Sequence, residues 1–151
     1  DFFSSRLLTQ LNLADNFLRG TLPATGPSMA TQIILHMNQI VGTVPSQWGK
    51  MVNLEHLDLS SNALSGTLPP QNLNAGIRSM FLQRNSLSGT FPTAFFAPQI
   101  AELDISDNQF RGNLPASGLT TLNKLNAGAN FFDGTIPIVY GSLPLDALTV
   151  E

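Results

Sequence analysis

Asp58 and Asp104 sit in matching settings, LDLSSN and LDISDN, and of all the residues they come nearest in type and spacing to reaction chemistry. Two carboxylates can hydrolyse a glycosidic bond when one is held protonated and the other ionised, roughly 6.5 to 9.5 Å apart. With one strand between them in a parallel sheet, a spacing of about 4.8 Å per strand sets them about 9.6 Å apart. The distance is close to suitable, but the surroundings are not. A shallow sheet has no wall to desolvate one acid and raise its pKa, and no nucleophile constellation accompanies the pair. His36 and His56 lie in different lanes, without the clustered ligands that a metal site needs. The chain has no cysteine, so thiolate nucleophiles, thiolate metal ligands and disulfides are excluded. The expectation is a non-enzymatic chain without cofactor or metal.

Charge narrows the partners further. Charged residues make up 11% of the chain, the formal net charge is -3, and there is no basic run. The electrostatic footprint of a nucleic-acid or anionic-lipid binder is missing. Apolar runs break after a few residues, well short of the roughly 18 that a membrane helix requires. No Asn-X-Ser/Thr glycosylation acceptor is present, and no secretory leader is visible at the start.

The elements that would position any site follow from an internal repeat. Asn16, Asn38, Asn62, Asn85, Asn108 and Asn130 recur at spacings of 22, 24, 23, 23 and 22 residues. Two residues after each stands a large apolar side chain (Leu18, Ile40, Leu64, Leu87, Phe110, Phe132), and two further on a glycine (Gly20, Gly42, Gly66, Gly89, Gly112, Gly134). An apolar residue and a proline close each unit, from Leu22-Pro23 to Ile136-Pro137. Upstream, apolar residues stand three and five positions before each Asn, beginning with Leu13 and Leu11. Alternation of this kind gives a short strand with one apolar face, which a single unit cannot bury and a stack of units can. The Asn amide is expected to bond peptide groups that the inward turn leaves unpaired, forming a structural ladder. Gly permits an unusual backbone conformation or close approach of coils, and Pro fixes φ for the next segment.

The pattern LxxLxLxxNxLxGxLP resembles the plant-specific type of leucine-rich repeat, over essentially the whole chain. That resemblance implies an α/β solenoid: a right-handed coil with a parallel β-sheet on its concave face, short second strands around GxLP, and irregular or 3-10 convex segments. It implies relatives among receptor-like proteins and receptor kinases, polygalacturonase inhibitors and protist surface proteins. The convex segments ATGPSMAT, PQNLNAGIRS and TAFFAPQ vary most. Ala127 replaces a large core residue, so the sixth coil is expected to be the weakest. Residues 1–151 read as a single array of about six repeats with partial terminal ones. Phe2, Phe3 and Leu7 at one end and Leu145, Leu148 and Val150 at the other look like cut repeats, so a piece of a longer array is expected.

Function is then expected on the concave strands, where the variable positions project. The lane between core positions reads Asn12, Ile34, Asp58, Phe81, Asp104, Asn126 and Thr149. Within it, exposed Ile34 and Phe81 flanked by Asp58 and Asp104 form a candidate hot spot, broadened by His36, Met37 and His56 and joined by Gln83 and Arg84. Glu55 with Arg78, Glu102 with Lys124 and Arg84 with Asp107 are expected to pair across strands. The partner is expected to be a protein, peptide or glycan ligand, at an extracellular or cell-surface location, with any membrane anchor or kinase elsewhere in a longer chain. An enzyme inhibitor and a structural spacer are the alternatives. The Thr row (Thr21, Thr43, Thr67, Thr90 and Thr135, interrupted by Asn113) raises ice binding, against the simpler account that Thr suits a pleated strand.

Overall fold

The computed structural model describes residues 3, 5–69, 76–92, 99–115 and 119–150. Two of the variable convex segments lie largely outside these residues, at 70–75 and 93–98, as do Asp1 and Phe2. One parallel sheet of seven strands is built, in order, from β1 (Gln10–Asn12), β3 (Gln32–Ile34), β5 (His56–Asp58), β7 (Ser79–Phe81), β9 (Glu102–Asp104), β11 (Lys124–Asn126) and β13 (Ala147–Thr149). The alternate strands make a second parallel sheet of six: β2 (Arg19–Thr21), β4 (Gln39–Gly42), β6 (Ala63–Thr67), β8 (Ser86–Thr90), β10 (Gln109–Gly112) and β12 (Phe131–Phe132). The chain is therefore a two-sheet solenoid, with 3-10 turns at Ser46–Lys50 and Ile138–Ser142 and no α-helix among the described residues.

Between the sheets runs a core filled in rows. The middle residue of each first-sheet strand from β1 to β11 points inward and is buried: Leu11, Ile33, Leu57, Met80, Leu103 and Leu125. Leu148 of β13 remains 38% exposed. Ile40, Leu64, Leu87 and Phe110 supply the row from the second sheet. In the sixth coil Ala127 is buried, and Phe132 stacks on Phe110 with centroids 6.4 Å apart.

The asparagines bond across coils as well as within them. Asn85 Nδ2 donates to the carbonyls of Leu82 and Gln83 in its own coil (3.1 and 3.4 Å) and of Leu59 in the preceding one (3.0 Å). Its Oδ1 accepts the amide of Leu64 at 2.9 Å. Asn38, Asn62, Asn108 and Asn130 repeat this arrangement. Asn16, in the first coil, is exposed, and among the described residues its side chain bonds only the carbonyls of Leu13 and Ala14.

Immediately before every ladder Asn lies a left-handed residue: Asp15, Met37, Ser61, Arg84, Asp107 and Ala129, all with φ between 51 and 58°. For residues other than glycine this conformation costs about 1–2 kcal/mol. It is held by bonds to the next coil, since Met37 N–H donates to Ser60 C=O at 3.1 Å and Arg84 N–H to Ser106 C=O at 3.1 Å.

The glycine and threonine columns interlock. Gly89 has φ of +80°, and a Cβ placed on it would lie 2.8 Å from Thr67 Cγ2 of the preceding coil; Gly42 stands likewise under Thr21. Thr methyls thus rest on the next coil's glycine, which gives the row a packing role. Gly134 departs from the series: it is not left-handed, and the Asn113 side chain occupies the space where its Cβ would lie.

On the convex side two aromatic residues, each three positions after a Pro, tie coils together. Buried Trp48 donates its indole N–H to Pro23 C=O at 3.0 Å, and the Tyr140 hydroxyl donates to Pro115 C=O at 2.8 Å. Gly26 leaves room for this layer, for a Cβ there would lie 2.5 Å from Met51 Sδ.

Replacing Asn85 with Ala strands buried carbonyls and an amide, each worth about 1–3 kcal/mol. A loss of about 3 kcal/mol or more is expected in urea unfolding followed by the single tryptophan, against less than about 1 kcal/mol for Asn16→Ala. Equal losses for the two variants would refute the two-coil account. Burial pushes the pKa of Tyr140, the one tyrosine, from 10.0 up to about 12. The folded state favours the neutral phenol, so this stability is complete below pH 10 and is lost as pH rises towards 12. Phenolate absorbance should titrate near 12 in the folded chain and near 10 in urea; a single midpoint near 10 in both would contradict it.

Candidate functional site

The strand register brings four of the candidate residues side by side. Ile34 pairs with Asp58, Asp58 with Phe81 and Phe81 with Asp104, on β3, β5, β7 and β9. Asn12 continues the lane at one end, and Asn126 and Thr149 at the other. His36, Gln83 and Arg84 do not join it: they follow the strand ends, on the turn leading to the ladder Asn. The sequence expectation that Ile34 and Phe81 are exposed needs correction, because both are half-buried. The His56 ring packs against Phe81 with centroids 5.5 Å apart and planes at 59°.

Both carboxylates have a local task. Asp58 Oδ1 accepts the Ser60 amide at 3.0 Å and the Ser60 hydroxyl at 2.7 Å. Asp104 Oδ1 accepts the Ser106 amide at 3.0 Å and hydroxyl at 2.6 Å, and its Oδ2 accepts the Asn126 amide at 3.2 Å. Asn12 and Asn126 use Oδ1 in the same way, on Ala14 N–H and Gly128 N–H. Four lane residues thus form Asx turns that lead into the left-handed bend. Sequence reading missed the serines, although the Asp-X-Ser spacing is present at 58–60 and 104–106. The fourth coil breaks the pattern with Phe81 and Gln83, and Gln83 Oε1 is sealed from solvent with no hydrogen-bond partner among the described residues.

All three expected ion pairs form: Arg78–Glu55 at 3.6 Å, Arg84–Asp107 at 3.7 Å and Lys124–Glu102 at 3.3 Å. Arg84 is 74% exposed, so its pair is held in water and contributes at most about 1 kcal/mol. A hollow of about 250 Å³ opens on the lane beside Phe81, with Glu102, Asp104, Lys124, Asn126 and Thr149 among its walls. Among the described residues no three His, Asp or Glu side chains lie close enough to hold a metal ion.

The Asx bond uses an oxygen that Asn also carries. Asp58→Asn should change stability by less than about 0.5 kcal/mol, whereas Asp58→Ala, which leaves the Ser60 groups without their acceptor, should cost about 1 kcal/mol or more. Thermal unfolding of the two variants checks this, and an equal cost for both would remove the turn role.

The leucine rich repeat family model matches residues 53–74. No curated protein matches the chain by sequence. Among solved structures, the chain is similar to the plant peptide hormone receptor RGFR1 in complex with RGF2 (TM-score 0.93, 28% identity, covering 97% of this chain and 24% of that one). It is also similar to the Arabidopsis receptor kinase HAESA ectodomain in complex with an N-terminally extended IDA peptide hormone ligand (TM-score 0.90, 32% identity, 95% and 25%). A third is a TDR receptor (TM-score 0.90, 30% identity, 96% and 26%). The chain spans about a quarter of the length of each of the three. Six in-phase repeats, a two-sheet solenoid built from them and this shared architecture give the chain a leucine-rich repeat solenoid fold, similar to that of plant receptor ectodomains.

Proposed function

We propose that this chain is a recognition segment of a receptor-like surface protein, binding a peptide or protein ligand along the concave sheet in an extracellular setting. One observation carries the reading: Ile34, Asp58, Phe81 and Asp104 stand on four neighbouring strands, so unlike side chains follow one another across a continuous sheet. Such a strip offers successive contacts to an extended ligand, and a half-buried aromatic residue at its centre is the kind of anchor that dominates interface energy. Similarity to ectodomains solved with peptide hormones supports a peptide over a glycan. The reading is of a non-catalytic role, supported by the turn bonds in which Asp58 and Asp104 each engage one oxygen with a serine two residues on.

Selection of linear peptides displayed against the immobilised chain tests the proposal. Enriched peptides are expected to lose roughly tenfold or more in affinity on Phe81→Ala, the scale of a hot-spot truncation. Enriched peptides indifferent to Phe81→Ala would move the site elsewhere, and inhibition of a polygalacturonase by the chain would favour the inhibitor reading instead.

A further inference from the structure

The concave lane is uneven in charge, and the unevenness centres on one aromatic ring. Among the described residues of the lane and of the adjacent strand column, Asp58, Asp104 and Glu102 are negative and Lys124 is positive. Lys124 is paired to Glu102 at 3.3 Å, which leaves Asp58 and Asp104 uncompensated. These two flank Phe81, one strand away on either side. Asp58 Oδ2 accepts no hydrogen bond among the described residues, and Asp104 Oδ2 accepts one, leaving room for another. Beside the ring lies the hollow of about 250 Å³, bounded by Phe81, Asp104, Asn126 and the paired Glu102 and Lys124, with Asp58 on the opposite side of the ring.

Resting on the peptide-binding reading above, we infer that this hollow receives a basic side chain, Lys or Arg, of the peptide ligand. A cation near an aromatic face is attracted by the ring quadrupole. Asp104 in the wall of the hollow adds Coulomb attraction, and Asp58 one strand beyond the ring adds a weaker, longer-range share. Phe81 supplies an apolar wall for the aliphatic stem, as a snorkelling side chain requires. An acidic ligand group there would face Asp104 and Glu102, and a purely apolar one would desolvate Asp104 without return.

The Asx turns make a clean test available. Asn12 and Asn126 already occupy this lane and make the turn bond with Oδ1, so the double variant Asp58→Asn/Asp104→Asn removes charge while retaining the oxygen each turn uses; at position 104 it gives up one acceptor of Asn126 Nδ2, which keeps Ser106 Oγ. Peptides enriched by selection against the full chain would be remade with citrulline for each Arg and norleucine for each Lys. Affinity would be measured for the original chain, the double variant and Phe81→Ala, at low and high salt. At least one basic position should lose roughly tenfold on neutralisation, and the same peptide should lose as much on the double variant and weaken with salt. The two losses should not add, since both remove one contact. Peptides that need Phe81 but bind the double variant and their neutral versions unchanged would overturn this inference and leave the concave reading standing. Peptides unaffected by Phe81→Ala would overturn both.

Discussion

An asparagine carboxamide has two N–H donors and one carbonyl oxygen, and in this chain a single amide must satisfy peptide groups from two coils. The donors of Asn62, Asn85, Asn108 and Asn130 each reach carbonyls of their own coil and one of the coil before, while the oxygen takes an amide from that earlier coil. No other side chain of this size supplies both functions without charge. Every coil must therefore turn inward at the same phase, and the strands on both sides inherit their register from that requirement. The left-handed residue before each Asn follows from the same demand. Its strain is tolerated because the turn also carries the sheet's hydrogen bonding into the next coil.

With the amides fixing register, apolar rows and small contacts fix spacing. Leu57, Met80 and Leu103 stack in one buried row, and the glycine of one coil accepts the threonine methyl of its predecessor on the second sheet. Trp48 and Tyr140 do the same on the convex side through polar tips that reach a proline carbonyl one coil back. What remains free is the outward lane of the first sheet. Its residues can vary because the core below them is complete, and the proposed recognition role draws on that freedom.

Much of this was legible in the residues. A period set by Asn, Gly and Pro leaves only one stacking phase, so the two sheets, the lane order and the three ion pairs follow from register alone. Other features were hidden for physical reasons. Met37 and Arg84 adopt a conformation that their residue types disfavour, so no local preference announces it. The turn bonds of Asp58 and Asp104 were hidden because an Asp-X-Ser spacing does not fix the backbone conformation that brings the serine to the carboxylate. Phe81 and Ile34 looked exposed because lane position gives direction but not the bulk of neighbours such as His56. The partner of Trp48 is a carbonyl 25 residues earlier, an acceptor that carries no signature in sequence.

Because each ladder amide looks only one coil back, the bonding rule is the same at every internal boundary. Removing one complete unit, or duplicating one, would leave each remaining asparagine with a carbonyl and an amide of the right kind beneath it. Loss of half a unit would leave donors facing apolar side chains. Length in such a chain is therefore quantised: it can grow or shrink by whole turns while the concave face keeps its order and only its reach changes.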